Sequence, residues 1–419
     1  MITAYKYRMY PKEEQCLQLL GILEQCRWSY NFYLGLVKTC IRVPDKHLLQ
    51  ELIPALCRRR PELQLVHSKT RQYVLHQLFY NLSVLASKRR NGRKVGSLRF
   101  KGRGWYKSFV YNQRGFEFKI GRIQTRQMGC LWLGKIGDIP IRYHRSIPQN
   151  ATVKQVTIKH ATSGKWFAYA IIEYDQPIVP TPIDYAKHVG LDVGIVNYIY
   201  DSDGHCIQHP HNIDAAEEKL TKAQQVLARK RKGSMNRNDQ RVKVARMHEK
   251  VTNRRLDFLH KTSAYYIKHY DVIGRENLPI EGLFKILRNG RNLSDAAFGR
   301  LFRMMDYKAE TACKLIIEVP APYSSIECSG CHKMVRKTLA VRIHHCPLCG
   351  LKIDRDFNAS KIVDYRALRV LGLEGSESSM PAEMGPILVT DNNNEQALSR
   401  KQELLQRASG EAQRLFSSG

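Results

Sequence analysis

The stretch that decides the fold is His188-Val-Gly-Leu-Asp-Val-Gly-Ile-Val-Asn-Tyr-Ile-Tyr200, an apolar run that contains a single acidic residue, Asp192. Two later segments repeat this arrangement. Asp271-Val-Ile-Gly-Arg-Glu-Asn-Leu278 carries Glu276, and Ile353-Asp-Arg-Asp-Phe-Asn-Ala-Ser360 carries Asp356. The pattern places three carboxylates on strands or at strand edges.

Three carboxylates in such settings indicate metal chemistry on a phosphodiester. Mg²⁺ is a hard cation held by a few carboxylates, waters and substrate phosphates. Two such ions, ~4 Å apart, stabilise the attacking and leaving oxygens of an in-line displacement. We therefore predict that Asp192, Glu276 and Asp356 bind two catalytic Mg²⁺ ions in a nuclease domain of the RNase H type. Asp354 is the alternative to Asp356, but the helix predicted over Asn358–Leu371 favours Asp356, the nearer acid.

The charge balance predicts a polyanionic partner. The 419 residues, enough for two or three domains, include 68 Lys and Arg against 38 Asp and Glu, a net charge of +30. No apolar run approaches the ~20 residues of a membrane span. Residues 1–10 lack the apolar core of a signal peptide. We expect a cytoplasmic, nucleoid-associated protein that binds nucleic acid and no membrane.

Two segments concentrate this charge. Residues 88–107 carry nine Lys and Arg and no acidic residue, with Phe100, Trp105 and Tyr106 interleaved. Residues 219–261 carry fourteen Lys and Arg against three acidic residues. Cations neutralise phosphates and aromatic rings stack on unpaired bases, although a solvated loop and a solvated helix face remain the alternatives. The predicted contacts are Arg99, Lys101, Arg103, Trp105, Lys107, Arg229, Lys230, Arg231, Lys232, Arg254 and Arg255.

Periodicity predicts the remaining elements. A strand over 2–8 precedes helices across 12–88, whose apolar stripes (Leu17, Leu19, Leu20, Ile22 and Leu23 first) we expect in the core. Six strands between 108 and 174 indicate an antiparallel barrel or sandwich that the first strand joins, and a proline-rich linker over 176–182 follows. The later elements predicted are a hairpin at Asp203-Gly204, two helices over 219–261 broken near Gly233-Ser234, a helix from Ser294 to about Lys314, and a strand over Leu315–Val319.

The cysteines divide into a scattered set and a metal site. Cys328-Ser-Gly-Cys331 and Cys346-Pro-Leu-Cys349 lie fourteen residues apart, and such a pair of knuckles supplies four thiolates for one tetrahedral, structural Zn²⁺. A pair of redox dithiols is the alternative. His332, His344 and His345 are expected at the surface of this ribbon. The scattered set, expected to be reduced and mostly buried, is Cys16, Cys26, Cys40, Cys57, Cys130, Cys206 and Cys313.

Over about residues 3–365 the chain resembles the TnpB (OrfB) proteins of insertion sequences, which are related to compact type V CRISPR effectors. The two departures are Leu98, where the family usually has proline, and His332, where glycine often follows the first knuckle. The matching stretches are Lys6-Tyr-Arg-Met-Tyr-Pro11, Tyr30-Asn31, Gly96-Ser-Leu-Arg-Phe-Lys101, Gly190-Leu-Asp-Val-Gly194, Leu227-Ala-Arg-Lys-Arg-Lys-Gly-Ser234, Asn253-Arg-Arg-Leu-Asp-Phe-Leu-His-Lys261, Glu276-Asn-Leu278, Asn292-Leu-Ser-Asp-Ala296, the cysteine ribbon and Asp354-Arg-Asp-Phe-Asn-Ala359.

The resemblance implies a multidomain α+β architecture: a RuvC-type, RNase H-like nuclease with a four-cysteine zinc ribbon, and a β-barrel wedge domain with an inserted helical recognition domain. The implied domains are a wedge over 1–11 and 89–182, recognition helices over 12–88, a nuclease over 183–322 and 353–372, a ribbon over 323–352, and a disordered tail over 373–419.

The resemblance also implies an activity. Such proteins are RNA-guided DNA endonucleases that cut double-stranded DNA beside a short target-adjacent motif, and we expect a monomer in complex with its guide RNA. Mapped by motif, Asp192, Glu276 and Asp356 would be the metal-binding carboxylates. The alternatives are an RNA-guided DNA-binding regulator without nuclease activity and a transposase that acts directly on element ends.

Overall fold

The computed structural model describes residues 2–119, 128–174, 182–194, 196–210, 214–277, 297–338, 341–373 and 387–388. The chain divides into two compact units, of which the first comprises 1–177 with 231–246 and the second 178–230 with 247–419. Most of the proline-rich linker, the 292–296 motif and most of the predicted tail over 373–419 lie outside the described residues.

The first unit contains a nearly closed, barrel-like sheet. Its strands are β1 (Ile2–Met9), β2 (Ser108–Asn112), β3 (Phe116–Lys119), β4 (Met128–Leu133), β5 (Gly137–Arg142), β6 (Ala151–His160) and β7 (Trp166–Tyr174). They lie in the order β2-β6-β7-β1-β5-β4-β3 and every neighbouring pair is antiparallel. In β1, Tyr5, Tyr7 and Met9 are buried, following the two-residue period of a strand. Because β1 pairs with both β5 and β7, the prediction that the first strand joins this sheet is confirmed.

Helices α1 (Glu13–Thr39), α2 (Lys46–Arg59) and α3 (Ser68–Arg90) fill the stretch predicted to be helical. A 3₁₀ turn over Pro61–Leu65 separates α2 from α3. Leu19, Ile22 and Leu23 of α1 are buried, but Leu17 is 66% and Leu20 43% exposed, so the predicted stripe is wrong at these two positions. At 100° per residue, they lie outside the arc that the three buried side chains share.

Tyr106 also differs from the sequence-based expectation. It is buried, and its hydroxyl donates a hydrogen bond to Gln77 Oε1 at 2.9 Å, so it anchors the end of the basic segment rather than facing solvent. Leu98, which stands where the family usually has proline, is half-buried and packs against the hydrophobic core of the first unit.

The second unit is built on a five-stranded mixed sheet in the order β10-β9-β8-β11-β12. Its strands are β8 (His188–Val193), β9 (Asn197–Asp201), β10 (Cys206–Gln208), β11 (Val272–Asn277) and β12 (Leu315–Pro320). β8, β11 and β12 run parallel, whereas β9 is antiparallel to both β8 and β10. The turn at Asp203-Gly204 joins β9 to β10, which confirms the predicted hairpin.

The other helices in the described ranges are α4 (Asp214–Arg229), α5 (Met235–His269), α6 (Phe298–Ala312) and α7 (Arg355–Val370). The break between α4 and α5 falls where Gly233 and Ser234 predicted it. The helix predicted from Ser294 is described from Phe298 onwards. The predicted start of α7 at Asn358 is wrong by three residues, because Asp354 caps the helix and its carboxylate accepts from the N–H groups of Asp356 and Phe357. No helix in the described part of the chain is both long and apolar enough to span a membrane.

The remaining small strands belong to the ribbon and the tail: β13 (Val335–Arg336), β14 (Ile343–His345), β15 (Lys352–Asp354) and β16 (Ile387–Leu388). β14 pairs antiparallel with β15, and β13 pairs in parallel with β16. The prediction of a surface position is wrong for His344, which is fully buried. Its side chain points inwards from the middle of β14, and its Nδ1 contacts the ammonium of Lys337.

The scattered cysteines are less buried than expected. Cys26 and Cys57 are buried, whereas Cys40 and Cys206 are exposed and the other three are half-buried. All seven are unbonded thiols in this structure, and their reduced state stays a prediction.

Close approach of α7 to the sheet requires glycine in β8. A Cβ atom added at Gly190 would lie 2.2 Å from the carbonyl oxygen of Ser360 and 2.3 Å from the backbone nitrogen of Asp364. Backbone atoms cannot retreat from such a clash unless the helix moves. Gly190 therefore allows the helix that carries Asp356 to lie directly on the strand that carries Asp192.

We expect Gly190→Ala to lower the free energy of unfolding by about 3 kcal/mol, because α7 must move away from β8. The matched control is Gly35→Ala in α1, where an added Cβ meets no atom within 4 Å. That control is expected to raise stability by about 0.5–1 kcal/mol, since alanine has the higher helix propensity. Urea denaturation of both variants measures the difference. Equal effects would contradict the packing described for Gly190.

Candidate active site, metal centre and nucleic-acid surface

The register of the mixed sheet brings Asp192 and Glu276 together. β8 and β11 run parallel, with Leu191 paired to Arg275, so that the next residue on each strand is one of the two acids. Adjacent strands in register direct equivalent residues to the same face. Asp192 is half-buried and Glu276 is 8% exposed. Two of the three predicted carboxylates are thus neighbours at the carboxyl ends of parallel strands.

Asp356 lies in the first turn of α7, and basic and amide groups surround its carboxylate. Its Oδ2 accepts a hydrogen bond from Asn197 Nδ2 at 3.3 Å, and its Oδ1 lies 3.2 Å from a terminal guanidinium nitrogen of Arg355. Arg342 approaches Oδ2 at 3.8 Å. Asp354, the alternative candidate, is used as the helix cap. The local structure therefore favours Asp356 as the third acid.

The electrostatics of these acids tie them into one group. Burial, together with the negative charges of Glu276 and Asp356, holds the pKa of Asp192 well above its usual value. Burial also raises the pKa of Glu276, while the Ser324 hydroxyl and the positive charge of Arg366 act in the opposite direction. Carboxylates whose negative charges repel one another suit a divalent cation, because the cation would relieve that repulsion. The chemistry of these donors therefore fits a hard divalent cation.

Side chains that sequence reasoning missed support two of the acids. The Ser324 hydroxyl, itself buried, donates a short hydrogen bond to Glu276 Oε1. Asn197, which donates to Asp356, accepts from Gln208 Nε2 at 3.4 Å. Asn197 lies within the first quoted stretch, where a polar residue after an apolar run was the only available signal. Nothing in the local sequence marks Ser324, which is 48 residues from its partner.

The four cysteines form a compact cluster. Their sulfur atoms all lie within 4.8 Å of one another, with Cys328 to Cys349 and Cys331 to Cys346 both at 3.6 Å. Burial raises the pKa of Cys328 to about 12. Burial acts in the same direction on Cys346, but hydrogen bonds from the N–H groups of Cys349 and Leu348 and from the Cys331 and Cys349 side chains together lower its pKa to about 7. Four convergent sulfurs suit a tetrahedral structural metal such as zinc.

Within the described ranges, this tetrad is the one group of three or more potential ligands whose donor atoms lie together at metal-binding distances. Asp192, Glu276 and Asp356 interact electrostatically but do not form such a cluster in this structure.

Hydrogen bonds hold the ribbon to α7. The buried side chain of Asn358 donates to the Glu327 carbonyl at 2.6 Å and accepts from the N–H of Ser329 at 2.9 Å. Arg366 pairs with the Glu327 carboxylate at 2.6 Å. His332, where the family often has glycine, has a left-handed φ of +55°, and its ring stacks on Tyr365 at 4.0 Å. The ribbon is therefore attached directly to the helix that carries Asp356.

Most of the predicted nucleic-acid contacts are accessible. Phe100 is also exposed, and Trp105 is 78% exposed. Lys107 is half-buried, and its pKa is lowered by burial and by the nearby charge of Arg241. The exposed members of the predicted set are Arg99, Lys101, Arg103, Trp105, Arg229, Arg231, Lys232 and Arg254, and the half-buried members are Lys107, Lys230 and Arg255.

Comparison with known proteins identifies the family. Residues 171–287 match the OrfB model described as "Probable transposase", and residues 298–363 match a Cas12f1-like TNB domain. A "Putative RNA-guided DNA endonuclease" of Streptomyces pristinaespiralis is 30% identical over 366 residues, covering 85% of this chain and 87% of the relative. The chain belongs to the OrfB (TnpB) family.

Other relatives of this OrfB protein extend the match. The "Putative RNA-guided DNA endonuclease InsQ" of Escherichia coli K12 is 25% identical over 406 residues, covering 92% of this chain and 97% of the relative. Residues 1–39, which match a model described as a helix-turn-helix domain, form β1 and α1 here. A solved Cas12f1–sgRNA–target DNA complex aligns with a TM-score of 0.48 and 12% identity, covering 84% of this chain and 83% of that chain.

Proposed function

We propose that this OrfB protein is an RNA-guided, Mg²⁺-dependent DNA endonuclease. The observation that carries the proposal is the juxtaposition of Asp192, Glu276 and Asp356 in one electrostatic group, in a chain whose relatives are named RNA-guided DNA endonucleases. Intact acids argue against a DNA-binding regulator that lacks nuclease activity. The partners are a guide RNA and a double-stranded DNA target, which the +30 charge suits, and the active form is a monomer bound to RNA.

The architecture proposed is that of the sequence-based domains. A sheet of three parallel strands extended by an antiparallel hairpin, with α7 packed on β8, supports a RuvC-type, RNase H-like nuclease over 183–322 and 353–372. The barrel-like sheet would be the wedge domain over 1–11 and 89–182, and α1 to α3 the recognition helices over 12–88. The cysteine ribbon would occupy 323–352.

Each side chain of the site has a role in this proposal. Asp192, Glu276 and Asp356 would hold the cations. Bound there, two Mg²⁺ ions would stabilise the charge that develops on the attacking and leaving oxygens of a phosphodiester. Ser324 would fix the rotamer of Glu276, and Asn197 that of Asp356, so that the carboxylates are oriented before substrate binds.

A cleavage assay tests the proposal. The protein is purified with the RNA from its own locus and incubated with plasmids that carry a sequence matching the guide, beside a randomised flank. We expect Mg²⁺-dependent cleavage of matched plasmids with one enriched flanking motif. Cleavage that needs no RNA but requires element-end DNA would instead establish the transposase alternative.

Metal binding is also expected to change stability. Since the pKa values of Asp192 and Glu276 are raised, these groups retain protons in the folded, metal-free protein that the unfolded chain releases. The stability that these two groups contribute is fully present below the pKa that they have in the unfolded chain. It is lost as the pH rises through the higher pKa that they have in the folded protein. At pH 7.5 we therefore expect Mg²⁺ to stabilise the folded protein. A Mg²⁺ concentration of 100 times Kd should raise the free energy of unfolding by about 2.7 kcal/mol and Tm by a few degrees.

Asp192→Asn is the matched control for this thermal shift. Without metal at pH 7.5 it should melt above the wild type, because the wild-type carboxyl must either bury a charge or keep a proton that the unfolded chain releases, and the amide avoids both costs. It should also lose most of the response to Mg²⁺. KCl at equal ionic strength corrects for screening of the +30 charge. An undiminished Mg²⁺ response in Asp192→Asn would contradict the assignment of this metal site.

A further inference from the structure

The basic segment between α3 and β2 has no strand or helix of its own, yet side chains of α1 hold it in place. We call residues 93–107, which contain no regular element, the basic strap. A backbone without strand partners must find its hydrogen bonds elsewhere. For Lys101, in the middle of the strap, they come from one side chain of α1. The N–H of Lys101 donates to Asn31 Oδ1 at 2.7 Å, and its carbonyl accepts from Asn31 Nδ2 at 2.9 Å.

A second side chain of α1 reinforces this contact. A terminal guanidinium nitrogen of Arg27 donates to the same Lys101 carbonyl at 2.9 Å, while the other guanidinium nitrogens bind the Glu24 carboxylate. The Lys101 ammonium lies 5.7 Å from the centre of the Tyr30 ring. Two sequence motifs seventy residues apart, Tyr30-Asn31 and Gly96–Lys101, thus meet at one residue.

The side chains on either side of this contact point to solvent. Arg99 and Arg103 are exposed, Phe100 is 55% exposed, and Trp105 is 78% exposed. A turn closed by the Trp105 N–H to Gly102 carbonyl hydrogen bond precedes the indole. An added Cβ at Gly102 would lie 3.2 Å from Trp105 Cδ1, so a larger residue there would press on the ring. The strap therefore presents cations and an exposed aromatic ring from a backbone fixed at Lys101.

We propose that Asn31, assisted by Arg27, is a positioning residue that pre-organises the basic strap to bind a single strand of nucleic acid. Arg99 and Arg103 contact phosphates, and Trp105 stacks on an unpaired base. A single strand is the favoured partner because exposed aromatic faces are used on unpaired bases, whereas paired bases offer no free face. The inference rests on the nucleic-acid binding in the proposed function, and not on cleavage.

The physical benefit of Asn31 is a lower entropic cost of binding. An exposed loop of this kind is ordinarily mobile, and ordering it on binding reduces affinity. Asn31 fixes the centre of the strap before the ligand arrives. Its loss should therefore weaken binding without removing any group that touches the ligand.

The test measures binding to 5′-fluorescein-labelled rU30, dT30 and a 30-base-pair duplex by fluorescence anisotropy. We expect Asn31→Ala to weaken single-strand binding about tenfold, corresponding to one ordered backbone residue. Thr39→Ala, an exposed change on the same helix, is the matched control and should leave Kd unchanged. Whichever of rU30 and dT30 has the lower Kd identifies whether the surface prefers single-stranded RNA or single-stranded DNA.

A double-mutant comparison separates positioning from general damage. In an Arg99→Ala/Arg103→Ala/Trp105→Ala background, adding Asn31→Ala should change Kd by less than about twofold, because the strap no longer binds. An undiminished tenfold effect in that background, or no effect of Asn31→Ala in the wild type, would overturn the proposal. The proposal would also be overturned if the wild type bound the duplex more tightly than the single strands and Asn31→Ala abolished that preference.

A second variant keeps the test decisive if Asn31→Ala folds poorly. Arg27→Ala removes the assisting contact to Lys101 together with the Arg27–Glu24 ion pair, and it should weaken single-strand binding about threefold, with the same loss of effect in the strap-depleted background. Since rU30 and dT30 binding needs neither guide nor metal, failure of the cleavage assay leaves this result interpretable. Intact cleavage with an unaltered Kd for both variants would refute the strap inference alone.

Discussion

Asp192→Ala is expected to reduce cleavage of target DNA by at least about 10³-fold while leaving RNA and DNA binding within about twofold of the wild type. The pKa of Asp192 is raised by burial and by the negative charges of both Glu276 and Asp356. Removing its carboxylate removes a metal ligand, whereas affinity for nucleic acid depends on cations elsewhere in the chain. Single-turnover cleavage and filter binding on the same preparation measure the two effects separately.

The matched control for this substitution is Glu218→Ala. Glu218 is an exposed acid of α4, 81% accessible and paired with Lys222, so its loss should leave the cleavage rate unchanged. Wild-type cleavage by Asp192→Ala would show that the carboxylate group is not the active site. Equal loss of binding and cleavage would show that Asp192 acts through folding.

Cys328→Ser is expected to abolish zinc binding and, with it, cleavage. Cys328 is fully buried among the sulfurs of the tetrad, and structural zinc sites of this type contribute about 10–16 kcal/mol of apparent binding free energy. Asn358 and Arg366 attach the ribbon to α7, so a disordered ribbon should also disturb Asp356. Metal analysis should show about one zinc per chain in the wild type and almost none in the variant.

Cys40→Ser is the control for the ribbon, because Cys40 is an exposed free thiol after α1. It should retain zinc and cleavage. Full zinc content in Cys328→Ser would contradict the four-thiolate site, and full cleavage without zinc would contradict the role of the ribbon in holding α7.

The structure shows which kinds of feature the sequence could predict. Strands such as β8 and β11 and the cysteine knuckles carry local signals, namely apolar runs ending in an acid and fixed ligand spacing, and they were found. The start of α7 has no such signal, because an aspartate at position 354 suits a metal ligand as well as a helix cap and only the helix geometry distinguishes the two. The exposure of Leu17 was missed for a related reason, since periodicity does not reveal which face of α1 meets a neighbour.

Contacts between distant residues account for the other differences. Tyr106 and Gln77, or Ser324 and Glu276, are far apart in sequence, and no local pattern relates them. The sequence relates Asn31 only to a family motif, and its two hydrogen bonds to the Lys101 backbone follow from the fold, which places α1 beside the basic strap. Such supporting side chains require the fold.

The central claim is that this protein is guided by RNA, and sequencing of the RNA that copurifies with it tests that claim most directly. The protein is expressed with its flanking locus, purified at about 0.5 M salt to remove weak electrostatic ligands, and its bound RNA is sequenced. We predict one discrete RNA from the locus that ends in a variable guide segment. Absence of a specific RNA, with tight binding to the element's own DNA ends, would contradict the account.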